Sequence, residues 1–275
     1  MAGDIKSLKL RIGSIDSMLH TTKAMGLVAS SKIRRATDLM LKSKDFLKEY
    51  NSVINMILSM PDRPQSRYFS KDDGKRTALI VIAGDRSMAG GYNSNVWKTV
   101  ESLKSNGEYE ITEMLAIGIK ARDKYRVEGF NVEKLNYTDI AEIARNMTQR
   151  YLNNEFDRLC IVSTEYRSVI VQNPRITEIL PLRKSEEAND KTIECILEPD
   201  PENIISSIVP GYVAASIYAH AKESFCCEVV ARRNAMDNAG KNAEKMLDEL
   251  RLSYNRARQG AITREITEIV AGAEN

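Results

Sequence analysis

Residues 229–261 read VVARRNAMDNAGKNAEKMLDELRLSYNRARQGA. Apolar and small side chains return there at heptad steps: Val229, Met236, Gly240, Ala243, Leu247, Leu250, Tyr254, Ala257 and Ala261. That spacing is the seam of a long helix packed on another helix. No proline interrupts the chain from Gly211 to Ala271. At 1.5 Å per residue such a helix extends about 90 Å, too long to lie inside a globule. It is either a rod or the core of something that wraps it.

A second seam stands at the other end of the chain. It passes through Ile5, Leu8, Ile12, Ile15, Leu19, Thr22, Gly26, Ala29, Ile33, Ala36 and Met40, then Ser43, Leu47, Tyr50, Ile54 and Ile57. Its middle is small or polar, which lets two backbones approach closely. The cluster Pro61-Asp62-Arg63-Pro64 ends that helix, because proline lacks the amide donor and blocks the preceding turn. Two rods that leave one compact middle, each with a seam, should pair antiparallel.

The middle reads differently. Thr77–Ala83 (TALIVIA) is a continuous β-branched apolar run, the mark of a strand buried on both faces. A turn, Gly84–Gly91, leads into a helix over Tyr92–Ser105. Ile111–Ile117 is a second strand, Lys120–Glu128 a short helix, Asp139–Asn153 an amphipathic helix and Arg158–Ser163 a third strand. Ser168–Gln172, Ile176–Leu182 and Thr192–Leu197 read as later strands, and the alternation of Ile176–Leu182 suits an edge or hairpin member. Pro199, Pro201 and Pro210-Gly211 bracket a short helical turn. The fold class is therefore α/β: a long antiparallel coiled coil plus a small Rossmann-like domain with a mostly parallel sheet. Its parts are a coiled-coil helix over 1–60, a linker over 61–75, the α/β domain over 76–200 and a coiled-coil helix over 201–275.

Charge is nearly balanced, 40 Lys and Arg against 38 Asp and Glu, so nucleic acid is not the expected partner. Basic clusters at Lys32-Ile33-Arg34-Arg35 and Arg232-Arg233 suit a partner with acidic surfaces. Cys160, Cys195, Cys226 and Cys227 form no CxxC pair, and no secretory signal leads the chain, which implies reduced thiols in a cytoplasmic setting. No apolar run approaches the roughly eighteen residues that span a bilayer. His20 and His220 sit on the two rods, far from any metal-ligand spacing, so neither metal nor cofactor is expected. The turn at Gly84–Gly91 occupies the place where phosphates bind after a strand, yet it is neither GxGxxG nor GxxxxGK[ST]. A tight turn, with Asp85 and Arg86 satisfying backbone groups or each other, is the simpler reading. No coherent catalytic set emerges.

Three blocks resemble one family, the gamma subunit of F-type ATP synthases. They are Thr22–Ala36 (TKAMGLVASSKIRRA), Gly84–Asn93 (GDRSMAGGYN), and Asn234–Ala239 (NAMDNA) with Tyr254–Gln259 (YNRARQ) and Ile262–Ala273 (ITREITEIVAGA). They lie at both ends and at the first strand, so the likeness spans the chain. Departures are Thr21 where isoleucine is usual, Ser87-Met88 in the glycine loop, and Glu274. The paired cysteines of chloroplast relatives are absent between Cys160 and Pro199.

The resemblance implies a central-stalk rotor, one copy per complex. Its coiled coil turns inside a ring of three alpha and three beta subunits, and its α/β domain contacts epsilon and the c ring at the cytoplasmic face of the bacterial membrane. It would perform no chemistry itself, since ATP is handled on beta. Motif matching assigns Lys23, Met25 and Arg232 to contact with the moving part of beta, and Gln259 and Thr263 to the tip of the shaft. With Met25 set near Arg232, residue 3 faces residue 254, and the helix beyond Tyr254 projects alone. A static coiled-coil scaffold and an enzyme built on the α/β domain are the alternatives.

Overall fold

The computed structural model describes residues 2–60, 65–69, 74–183 and 201–273. They form α1 (Ala2–Leu58), a 3-10 turn (Arg67–Phe69), β1 (Arg76–Ile82), α2 (Tyr92–Ser105), β2 (Glu110–Ile117), α3 (Ile119–Tyr125), β3 (Gly129–Phe130), α4 (Tyr137–Leu152), β4 (Arg158–Tyr166), β5 (Gln172–Leu180) and α5 (Pro201–Ala273). The chain divides into two compact units, Met1–Ser30 with Arg232–Asn275, and Ser31–Ala231.

The larger unit is built on a five-stranded sheet of order β3-β2-β1-β4-β5. β1 is parallel to β2 and β4, β2 is parallel to β3, and β5 returns antiparallel along β4 at the edge. Period-two alternation splits β1 between two cores. Ala78, Ile80 and Ile82 face α4 and the inner lengths of α1 and α5, where Ile54, Ile57, Val209, Val213 and Ile217 are buried. Leu79 and Val81 face α2 and α3, against Val96, Val100 and Ala121. Each such isoleucine or leucine contributes about 1.5–3 kcal/mol by leaving water. The alternation of helices and strands between β1 and β4 thus yields a sheet covered on both faces, as its apolar strands require.

Two expectations are corrected here. Ser168–Gln172 is not a strand: Ser168 Oγ accepts from the amides of Ile170 at 3.2 Å and Val171 at 2.9 Å, closing the β4–β5 hairpin turn instead. Local side-chain bonding overrides the β-propensity of Val-Ile-Val. The prolines do not delimit a separate turn, because α5 begins at Pro201 and runs through Pro210. A proline at the first helical position forfeits no bond, and Ile205, Val209 and Val213 stay buried across Pro210, holding the helix together there. The two-residue β3 carries too little sequence to be read in advance. Thr192–Leu197 lies outside the described residues.

The smaller unit pairs the two helix ends antiparallel. Leu19 packs with Ala243 and Leu247, flanked by Ile12 and Ile15. Thr22, Gly26 and Ala29 are buried on α1, and Met236 and Gly240 on α5, as the heptads require. The buried Thr22 hydroxyl donates to the Leu19 carbonyl at 2.9 Å, so it costs little. The register departs from expectation. Residue 26 meets Met236 and Lys23 reaches Glu244 at 2.8 Å, where the sequence register puts residues 231 and 234 opposite them. A motif match locates a surface patch, whereas register is set by how the small seam residues nest. The pairing accordingly extends past Tyr254: Ala257 and Ala261 are still half-buried, and exposure is continuous from Ile262 to Val270.

Candidate functional site

In an open parallel sheet, ligands bind at the carboxyl ends of the strands where the chain direction diverges. Here that point lies between β1 and β4, and it begins with the turn Gly84–Gly91. Asp85 is buried and its carboxylate is fully engaged. Oδ1 accepts from the amides of Ile119 and Val132, both at 3.1 Å, and Oδ2 from Glu133 at 3.0 Å. Gly84 donates its amide to Asn93 Oδ1 at 3.0 Å. A methyl group on Gly84 would stand 2.8 Å from Glu228 Cδ of α5. Arg86 stands 4.0 Å from Glu133.

Helix α5 fills the crevice that a nucleotide would need. Ser224 Oγ accepts from the Thr164 amide at 3.0 Å, and Glu223 Oε1 from the Tyr166 amide at 2.8 Å and from Lys44 Nζ at 2.6 Å. The Tyr92 hydroxyl donates to the Ser224 carbonyl at 3.0 Å. Burial, with Glu228 nearby, pushes the Tyr92 hydroxyl pKa well above its ordinary value. Cys226 faces Thr37 on α1, while Cys227 faces the Thr164 carbonyl, so adjacent thiols serve opposite sides of the helix. Burial raises the pKa of both, and that of Cys160 to about 12. Among the described residues no cluster of His, Cys, Asp and Glu could hold a metal.

The residues singled out from sequence fall on the other unit, in two patches. Lys23 is exposed and paired with Glu244, an ion pair worth little in water. Met25 is half-buried beside the Gly26–Met236 contact. Arg232, also half-buried, lies about one turn along α5 from Met236 and is displaced from Met25 by the altered register. Gln259 and Thr263 share one exposed face, the Thr263 hydroxyl donating to the Gln259 carbonyl at 2.9 Å. They sit roughly 35 Å along the helix from Met236. Beside them Ile262, Ile266, Ile269 and Val270 are exposed in an apolar stripe. Sequence reading did not find the α5 anchor residues Glu223, Ser224 and Glu228; charged residues on a helix carry no local sign of burial.

A family model described as ATP synthase matches residues 4–275. The chain is 34% identical to the ATP synthase gamma chain of Pelotomaculum thermopropionicum, over 98% of each chain. It is 32% identical to the sodium-ion-specific gamma chain of Acetobacterium woodii, over 100% of this chain and 99% of that one. Among solved structures, a rotor chain of the Euglena gracilis mitochondrial ATP synthase superposes with a TM-score of 0.69 over 95% of this chain and 100% of its own, at 15% identity, which speaks to the fold alone. Paired terminal helices, a sheet whose ligand crevice is occupied by one of them, and identity sustained from end to end agree: the chain belongs to the ATP synthase gamma-chain family.

Proposed function

We propose that this chain is the central-stalk rotor of an F-type ATP synthase, turning inside the alpha–beta hexamer and coupling ion flow through the c ring to ATP synthesis or hydrolysis on beta. The observation that carries this is the α1–α5 pair, whose α5 member runs on past the paired length with an exposed apolar stripe at Ile262, Ile266 and Ile269. An exposed apolar stripe of this kind marks a surface that a partner covers. One asymmetric shaft presents different faces to three equivalent partners and favours a different conformation in each, which is population shift driven by rotation.

The chain itself is a non-catalytic subunit. Its sheet crevice is filled by α5, and its buried Cys160, Cys226 and Cys227 thiols are held neutral. Lys23, Met25 and Arg232 form the contact to the moving part of beta; Gln259 and Thr263 form the contact at the tip. The α/β unit meets epsilon and the c ring at the cytoplasmic face of the bacterial membrane, one copy per complex.

The test is reconstitution from purified alpha, beta and this chain, with a bead on a cysteine introduced at the exposed Ser105. ATP-driven rotation of the bead, and an ATPase rate that depends on this chain, are the expected results. A static scaffold gives a stable complex whose bead does not turn, and that outcome rejects the rotor.

A further inference from the structure

Glu223 stands where three elements of the larger unit meet. Its side chain leaves α5, is 5% exposed, and brings one oxygen, Oε1, to two donors at once. The Tyr166 amide at the end of β4 donates to it at 2.8 Å, and Lys44 Nζ of α1 at 2.6 Å. The sheet, α1 and α5 are thus joined at a single atom. Beside it lies an apolar cluster: Ala36 and Met40 of α1 and Cys226 and Val230 of α5 are buried, with Ile33, Tyr166 and Phe225 packed against them.

Stability alone does not call for this arrangement. A buried ion pair loses its hydration, and apolar side chains of the same volume usually hold a core as well or better. What the pair adds is geometry. With the helix radius and the length of a glutamate side chain, the carboxylate stands about 6 Å from the α5 axis. A turn of α5 by about 5° then moves Oε1 by about 0.5 Å, enough to carry the 2.8 Å bond from Tyr166 past the usual hydrogen-bond length. Turning α5 against β4 breaks that bond. Turning α1 against α5 breaks the bond from Lys44. Both donors bear on the same oxygen, so a shift that follows one withdraws from the other.

We propose that Glu223 is a positioning residue that locks α1, α5 and the sheet of the larger unit into one torsionally stiff body. This rests on the rotor reading, in which the chain carries torque. Glu223 touches no reacting group; it acts through the angle at which the two helices are held against the sheet.

The experiment uses the assembly of alpha, beta and this chain with the bead at position 105, and reads the angular variance of the bead at rest without ATP. That variance is inverse to torsional stiffness. Glu223→Gln and Lys44→Met are each expected to widen it about twofold, as the loss of one of two directional bonds at this atom allows. Lys44→Arg, which keeps donor and charge, retains the wild-type value. Lys44 is partly exposed, so its variants carry the test if Glu223→Gln does not assemble. The double variant Lys44→Met with Glu223→Gln separates positioning from stability: it leaves no buried charge uncompensated, yet its variance stays wide. Ile80→Val, set in the buried core under β1, weakens the fold without touching this junction and leaves the variance unchanged. Unchanged variance in Lys44→Met and in the double variant overturns the proposal, as does equal widening by Ile80→Val. If the wild-type bead fails to turn when ATP is added, the rotor reading falls; if it turns and these variants leave the variance unchanged, only the lock falls.

Discussion

Alanine at three glycines measures how closely the two helices of the smaller unit approach. Gly13, Gly26 and Gly240 all sit in helix interiors, where alanine is better than glycine by about 0.8–1 kcal/mol. They differ in what a methyl group meets. At Gly13 nothing lies within 4 Å. At Gly26 the new carbon stands 3.6 Å from Met236 Cβ and 3.8 Å from Asp237 Oδ1; at Gly240, 3.8 Å from Thr22 Oγ1 and 4.0 Å from Leu19 Cδ1. All four distances are ordinary van der Waals contact, so neither seam glycine is there to avoid a clash with one extra carbon. Gly13→Ala, Gly26→Ala and Gly240→Ala should each stabilise the pair by about 1 kcal/mol, with the seam variants equal to or slightly above the control. Gly26→Leu should instead cost roughly 1–3 kcal/mol by forcing the helices apart. Amide hydrogen exchange across residues 12–30 and 236–250 reads these changes locally. Stabilisation by Gly13→Ala together with destabilisation by both seam variants would refute the register, because it requires a closer approach than Gly26 to Met236 permits.

Three further outcomes are expected. Gly118 has φ +105°, and a methyl there would stand 2.1 Å from the Ala83 carbonyl oxygen, so Gly118→Ala should cost more than about 3 kcal/mol and appear as a large loss of thermal stability or of soluble yield. Glu223→Gln strips charge from a carboxylate that is buried while its partner Lys44 is partly exposed; a loss of roughly 1–3 kcal/mol in denaturant unfolding is expected, and Lys44→Met combined with it should cost less than the two changes added separately. His220 is buried, its Nδ1 bonded to the Ser216 carbonyl at 2.7 Å, with Glu223 of α5, Lys44 of α1 and Arg175 of β5 around it, and burial lowers its pKa below 6.5. The unfolded chain then takes up the proton first, so stability falls as pH drops below about 6.5, by up to roughly 1.4 kcal/mol per pH unit. His220→Gln should flatten the stability profile between pH 7 and 5, and an unchanged slope would exclude His220 as its source.

Heptads made the helix pair legible because a seam repeats its own signal: Leu19, Thr22, Gly26 and Ala29 are buried where their spacing puts them. β1 and α2 were legible for a similar reason, a continuous apolar run and a clean amphipathic period between turns. Register was not, since a shift along two uniform seams changes no local feature. The hairpin tip was misread because Val-Ile-Val has the composition of a strand, and only the Ser168 hydroxyl, by taking two amides, decides otherwise. Burial of Glu223 and Glu228 was invisible, as it arises from the carboxyl ends of β4 and β1 rather than from neighbours along α5.

That last group gives the fold its mechanical sense. Apolar contact is non-directional, and a helix held by it alone can turn about its own axis at small cost. Hydrogen bonds are directional and lose their energy when an angle fails. Within the larger unit α5 is held by both kinds. Val213 and Ile217 seat it on the sheet. Lys222 Nζ then donates to the Leu135 carbonyl at 2.8 Å on one side, while Ser224 and Glu223 accept from the Thr164 and Tyr166 amides on another and the Tyr92 hydroxyl donates to the Ser224 carbonyl. These bonds reach α5 from three separate segments of the unit, so no rotation about the helix axis preserves them all. A crevice that in other sheets receives a ligand has here become a keyway for a shaft. In the rotor proposed above, torque applied to the sheet would pass into α5 through these directional bonds, which a purely apolar seat would not supply.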